Sequence, residues 1–247
     1  MQRGKVKVET DPQAMPISVR SALTTALYLF GGLLLGFGLA IAVSGLPGHL
    51  LSESTRNVLG VVTIIAVLIL AGAAWGRAMA RLTGSSEGRR MAWAGGLSYG
   101  PGVLLAAFVL SLLEVVVVER RGGPDLPVHN VFTILFVPAA FIVSSLGGLA
   151  IGLANRDGKL AARLTLGGGL AGAAAFLIID LALDALGFRV GAPRAAERAT
   201  MITVMMTGNL GTALAAGAVI GALLGKSIVS KPGLDAETSE VLKTSEI

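Results

Sequence analysis

The sequence predicts an all-α integral membrane protein with six transmembrane helices, arranged as three tandem helical hairpins around a pseudo-threefold axis. Three observations lead to this fold class: an apolar composition, six apolar segments of membrane-spanning length, and a glycine pattern that recurs in each hairpin. Of the 247 residues, 53% are hydrophobic and only 14% are charged, and the mean hydropathy is +0.77. Water-soluble domains of this length do not reach such values. We therefore expect lipid to be the solvent for most of the chain.

Six segments are long enough to cross a hydrocarbon core of roughly 30 Å, which takes about 20 apolar residues in a helix. None of them contains Lys or Arg, and the fifth in chain order is interrupted only by two aspartates. Their approximate ranges are 22–44, 58–76, 91–118, 131–154, 164–187 and 200–225. The chain then divides into a polar lead at 1–20, a six-helix membrane domain at 21–226 and a polar tail at 227–247.

The distribution of Lys and Arg predicts the orientation, because these residues resist translocation and collect on the cytoplasmic side. Placing both termini on one side puts fourteen of the 20 cations there. The six on the opposite side are Arg56, Arg120, Arg121, Arg189, Arg194 and Arg198. We expect both termini to be cytoplasmic and the protein to lie in a plasma membrane of the bacterial (inner membrane) type.

A repeat of one hairpin is indicated at 18–84, 85–158 and 159–231. The second helix of each hairpin contains two glycines four residues apart, followed four or five residues later by a cation. Glycines at this spacing share one helix face and let a neighbouring backbone approach closely. The glycines expected at helix contacts are Gly32, Gly36, Gly72, Gly76, Gly96, Gly100, Gly148, Gly152, Gly168, Gly172, Gly217 and Gly221. The alternative is that a chain with 34 glycines produces this spacing by chance.

Three parallel hairpins resemble the mitochondrial carriers in outline. The signature of that family, at the ends of the odd-numbered helices, is a proline, any residue, an acid, two residues and a base. This signature is absent from the sequence. No function is therefore carried over from the resemblance.

Four polar residues inside the spans are candidates for an ion, proton or substrate pathway. Asp180 and Asp184 are four residues apart and share a helix face, which suits a cation site or a proton relay if that face lines a cavity. Glu114 lies nearer the outer interface, and Asn209 lies near the middle of the last span. In the alternative interpretation, the acids pair with loop arginines or are protonated, and Asn209 forms an interhelical hydrogen bond.

Enzyme and metal signatures are missing from the sequence. It has no cysteine, no H-E-x-x-H zinc motif and no G-x-x-x-x-G-K-[ST] nucleotide motif, and its two histidines, His49 and His129, fall in outer loops. We expect no catalysis, no metal and no cofactor. The formal charge of +5 is explained by membrane orientation, so we expect no nucleic-acid partner.

Three functions fit the sequence. The first is a small-solute or ion permease or channel with a weakly polar pathway. The second is a non-catalytic subunit of a larger membrane complex, which would use the glycine faces to bind other membrane proteins or further copies of itself. The third is a lipid-interacting protein, suggested by the arginine-rich cytoplasmic rim.

Overall fold

A computed structural model describes the backbone of residues 15–47, 51–121, 128–186 and 194–229, and the side chains of 15–47, 51–113, 136–186 and 203–227. All regular secondary structure within these ranges is helical. Each of the six helices contains a stretch long and apolar enough to cross a membrane, as the sequence predicted. We number them α1 (Ile17–Ser44), α2 (Glu53–Leu82), α3 (Gly88–Arg121), α4 (Val128–Ala154), α5 (Gly158–Ala185) and α6 (Arg194–Val229).

The helices form a ring in which each packs against its neighbours in sequence and α6 packs against α1. Neighbours in the ring run antiparallel, so the ring has two ends. The terminal end carries the start of α1, the end of α6 and the α2–α3 and α4–α5 connections. The far end carries the ends of α1, α3 and α5 and the starts of α2, α4 and α6. By the charge distribution of the sequence, the terminal end is the one predicted to be cytoplasmic.

The connections at the terminal end are short and closed by local hydrogen bonds. Between α2 and α3, Gly84 has a φ of 63°, a left-handed conformation that glycine adopts without a steric penalty. Between α4 and α5, Asp157 caps α5 by accepting a hydrogen bond from the Leu160 backbone N–H at 2.9 Å. These tight turns hold the helices of each connected pair close together at this end.

Glycines allow the closest helix approaches. A Cβ atom added at Gly76 would overlap the Met91 carbonyl on α3, and one added at Gly148 would overlap the Leu164 carbonyl on α5. On α6, a Cβ at Gly221 would overlap the Ser21 side chain of α1. Backbones this close gain van der Waals contact, which replaces the hydrophobic driving force that lipid does not supply between helices.

The half of the ring near the terminal end contains a packed hydrophobic core. Its most deeply buried side chains include Met79, Met91, Ile151 and Leu164, each with no exposed surface. The outer faces of the helices carry many exposed large apolar side chains, such as Leu27 and Leu170. An apolar exterior of this kind is matched to lipid rather than to water.

Candidate functional site

A cavity of about 260 Å³ lies inside the ring and receives side chains from all six helices. Trp75 and Ile220 belong both to the packed core and to the cavity wall, so they form its floor toward the terminal end. From there the cavity extends into the far half, as far as Phe37 on α1 and Met205 on α6. Its position is therefore asymmetric: the terminal half is filled and the far half is hollow.

The cavity wall is predominantly apolar. Aromatic rings from five of the helices contribute to it, and two of these rings, Phe136 and Phe176, stack with their centroids 5.9 Å apart. The aromatic lining residues are Phe30, Phe37, Trp75, Tyr99, Phe136 and Phe176. Rings of this kind provide large apolar contact area, which suits an apolar ligand.

Several polar groups in the wall already take part in hydrogen bonds within the protein. The Trp75 Nε1–H donates to Thr25 Oγ1 at 2.9 Å, and the Thr25 hydroxyl donates to the Ser21 carbonyl at 2.8 Å. On the other side, the Thr212 hydroxyl donates to the Gly172 carbonyl at 3.2 Å. Since these donors are engaged, they contribute little recognition of a strongly polar ligand.

A π turn at Ala26–Phe30 interrupts α1 beside the cavity. A π turn shifts the helical hydrogen-bond pattern and is frequent at functional sites. The Tyr99 hydroxyl of α3 donates to the Leu29 carbonyl in this turn at 2.6 Å. The irregular backbone is thus held by a side chain from the opposite wall of the cavity.

The same turn marks the place where α1 changes its packing partner. Before it, Ile17–Thr25 packs closely against α6; after it, Gly31–Ser44 packs against α2. Within the described residues, Gly31–Ser44 has no comparable contact with α6. Among the described residues, α1 and α6 are therefore in close contact in the terminal half and lack this contact in the far half.

Of the four polar residues singled out in the sequence, the cavity wall includes Asn209. Its Nδ2 donates to the Met205 carbonyl one turn earlier in α6, at 2.8 Å. Asp180 is buried, with 2% of its surface exposed, and Asp184 is half-buried, but neither lies in the wall. Glu114 lies in α3, and its side chain is outside the described residues.

The aromatic lining was not foreseen from the sequence. Each of these residues lies in a span that is apolar throughout, where an aromatic side chain facing lipid and one facing a cavity look alike. Trp75 offered one signal, because it stands directly before Gly76 at the expected helix contact. A residue next to a glycine at a helix contact lies at the edge of that contact, where its side chain can point into the bundle.

In the part of the chain that the structure describes, no group of three or more His, Asp or Glu side chains is placed to hold a metal ion. The chain gives no match to any protein-family model, to any curated protein or to any solved structure.

Proposed function

We propose that this protein is a small-solute permease whose substrate is apolar or weakly polar, bound in the central cavity. The observation that carries the proposal is a cavity lined by all six helices with a wall of aromatic and aliphatic side chains. Transfer of an apolar molecule from water to such a wall is favourable, whereas an ion would lose its water ligands and find few polar groups to replace them. The packed core below Trp75 separates the cavity from the terminal end, so passage requires this core to loosen.

Ion or proton coupling receives less support from this geometry. Asp180 and Asp184 lie outside the wall, and Asn209 is the single carboxamide in it. A cation in the cavity would exchange its water for mainly apolar contacts, at a cost of several kcal/mol. An uncharged substrate avoids that cost.

A role as a complex subunit also receives less support. In that role, the glycine faces would bind the partner. Several of these glycines instead pack on neighbouring helices of the same chain, among them Gly76, Gly148 and Gly221. The remaining outer surface is apolar, as contact with lipid requires.

We further propose that the chain consists of three copies of one hairpin. In each copy the second helix packs against the first helix of the next copy, and the α6–α1 contact closes the cycle. Two glycines on each second helix would overlap the first helix of the next copy if a Cβ atom were added to them. Gly72 and Gly76 meet the Gly95 and Met91 carbonyls, Gly148 and Gly152 meet Leu164 and Ala161, and Gly217 and Gly221 meet Thr25 and Ser21. The order of these contacts supports the motif alignment, which pairs Gly148 with Gly72.

The predicted orientation can be tested by labelling, because the chain has no cysteine of its own. Ser54 near the far end and Ser86 near the terminal end are both exposed. In intact bacterial cells, Ser54→Cys should react with a membrane-impermeant maleimide, and Ser86→Cys should react only after permeabilisation. The reverse pattern would overturn the assignment of the termini to the cytoplasm.

Ligand binding can be tested with Trp75 as a reporter. The chain has two tryptophans, and Trp93 is 68% exposed on the outer face, so Trp93→Phe leaves the cavity tryptophan as the only indole. Bromine quenches indole fluorescence on contact. We expect 1-bromooctane to quench Trp75 saturably in detergent-solubilised Trp93→Phe protein.

The matched control fills the cavity without changing the outer surface. Ala213 lies in the wall, whereas Ala42 is exposed on α1 and lies outside it. In the Trp93→Phe background, Ala213→Leu should weaken 1-bromooctane binding by about tenfold or more, since the added side chain occupies the ligand's space. Ala42→Leu should leave binding unchanged. Absence of saturable quenching, or equal binding by the two variants, would refute the proposed function.

A further inference from the structure

In the far half, the described residues of α1 and α6 lack the close contact that joins these two helices in the terminal half, and we call the space between them the gap. The antiparallel contacts between Thr25 and Gly217 and between Ser21 and Gly221 set the register of the two helices. Continuing this register past the π turn brings Phe37 to the level of Met205. At that level both residues line the cavity, yet the far segment of α1 has turned toward α2.

The gap faces the lipid-exposed side of the ring. Around it, the far segment of α1 presents large apolar side chains to the outside, with Leu35 58% and Ile41 72% exposed. Phe37 belongs to both surfaces, because it lines the cavity and is 45% exposed. Phe37 therefore connects the apolar outer face with the apolar cavity wall at the gap.

We propose that the gap between α1 and α6 is a lateral portal through which a small apolar molecule passes from the bilayer into the cavity. This inference rests on the proposed function, and it adds the source of the substrate. An apolar molecule concentrates in the hydrocarbon of the bilayer, so a portal at this depth admits it without transfer through water. The π turn supplies the portal, because it directs the far segment of α1 away from α6.

The size of the cavity limits the class of ligand. Liquid water occupies about 30 Å³ per molecule, so a cavity of about 260 Å³ holds about eight or nine non-hydrogen atoms. This matches a short hydrocarbon or halocarbon, or the end of one alkyl chain of a lipid. A whole phospholipid is much too large.

The portal can be closed reversibly by chemistry. In the Trp93→Phe protein, which has no native cysteine, Phe37→Cys and Met205→Cys place one thiol on each side of the gap. A flexible bifunctional methanethiosulfonate bridges them after reconstitution into vesicles, and a reductant releases the bridge. The controls are the two single-cysteine variants, each labelled with the same reagent after its second reactive group has been capped. The attached reagent then adds equal bulk without joining the helices.

The measurement is the rate at which Trp75 is quenched when 1-bromooctane is added to the vesicles. Bridging should slow quenching by at least about tenfold, equivalent to a barrier raised by about 1.4 kcal/mol, and reduction should restore it. The single-cysteine controls should remain fast. Phe37→Ala widens the gap and needs no cross-link. In the Trp93→Phe background it should make quenching faster than in the Trp93→Phe protein itself.

The outcomes separate the two proposals. If bridged protein, or Phe37→Ala, is quenched at the parent rate while saturable quenching persists in detergent, the portal is wrong and the cavity still binds apolar ligands. If Trp75 is not quenched in any variant or medium, the proposed function itself fails. A further arm uses vesicles of phosphatidylcholine brominated in mid-chain, without 1-bromooctane: quenching there identifies a lipid chain as the occupant, and its absence identifies a free small molecule.

Discussion

The two halves of the ring are built from the same six helices, yet they pack differently. In the terminal half, glycines bring backbones together and side chains such as Met79 and Ile151 are fully buried. In the far half, Phe37 and Leu112 remain 45% and 51% exposed, and a cavity lies between the helices. Glycines lie at the backbone contacts of the terminal half, and the π turn and the aromatic side chains border the cavity of the far half. Stability should thus depend on the terminal half and ligand binding on the far half.

The largest expected effect comes from truncating the packed core. Leu164 has no exposed surface, whereas Leu170, on the same helix, is 61% exposed. Leu164→Ala should lower the free energy of unfolding by about 2–5 kcal/mol, because it leaves a cavity among close-packed side chains. Leu170→Ala should change it by no more than about 0.5 kcal/mol. Equilibrium unfolding in mixed micelles of mild detergent and dodecyl sulfate measures both, and equal losses would contradict the packed core assigned to the terminal half.

A second test adds one methyl group to a glycine in each half. A Cβ at Gly76 would overlap the Met91 backbone, which cannot move aside as a flexible side chain can, so Gly76→Ala should cost about 1–3 kcal/mol. Gly38, in the far half, is exposed and has open space at the Cβ position. Gly38→Ala should stabilise the helix slightly, by up to about 0.5–1 kcal/mol. If Gly76→Ala left the free energy of unfolding unchanged, the α2–α3 contact could not be as close as the Gly76–Met91 approach indicates.

The sequence predicted the part of the architecture that follows from composition and periodicity. Six helices were expected and are found, although α1 begins at Ile17 rather than near residue 22. The earlier start reflects tertiary packing: Ser21 is fully buried against α6, and its hydroxyl donates to the Gly217 carbonyl at 2.6 Å. A polar residue in a lead segment gives no sign of such burial.

The cavity could not be predicted in the same way. It lies beside the π turn at Ala26–Phe30, where α1 changes its packing partner, and the residues of this turn are of ordinary apolar types. The sequence raised Asn209 as a polar residue near mid-span, but hydropathy does not say which face of a helix meets a cavity. For that reason Asp180 was also a candidate for the pathway. Its side chain is buried but does not line the cavity.

A smaller effect is expected at the π turn. Tyr99→Phe removes the hydroxyl that donates to the Leu29 carbonyl, and should lower the free energy of unfolding by about 1 kcal/mol. Tyr28→Phe is the matched control, because among the described residues the Tyr28 hydroxyl has no hydrogen-bond partner. Both variants are compared by the same unfolding titration. If the two behave alike, Tyr99 does not hold the turn, and another contact must maintain the divergence of α1.

The smallest effect is expected at the charged rim of the terminal end, where Arg90 Nη1 and Glu87 Oε1 form an ion pair at 2.9 Å. Both side chains are more than a third exposed, so water and salt screen the pair, and its worth is about 0–1 kcal/mol. Glu87→Gln should therefore change the free energy of unfolding by no more than about 0.5 kcal/mol. Raising the salt concentration of the wild type, which screens the pair without a substitution, should give a similarly small change. If Glu87→Gln instead approached the loss predicted for Leu164→Ala, the terminal half would owe its stability to its charged rim, and the close helix contacts made possible by glycine could no longer explain why this half is closed.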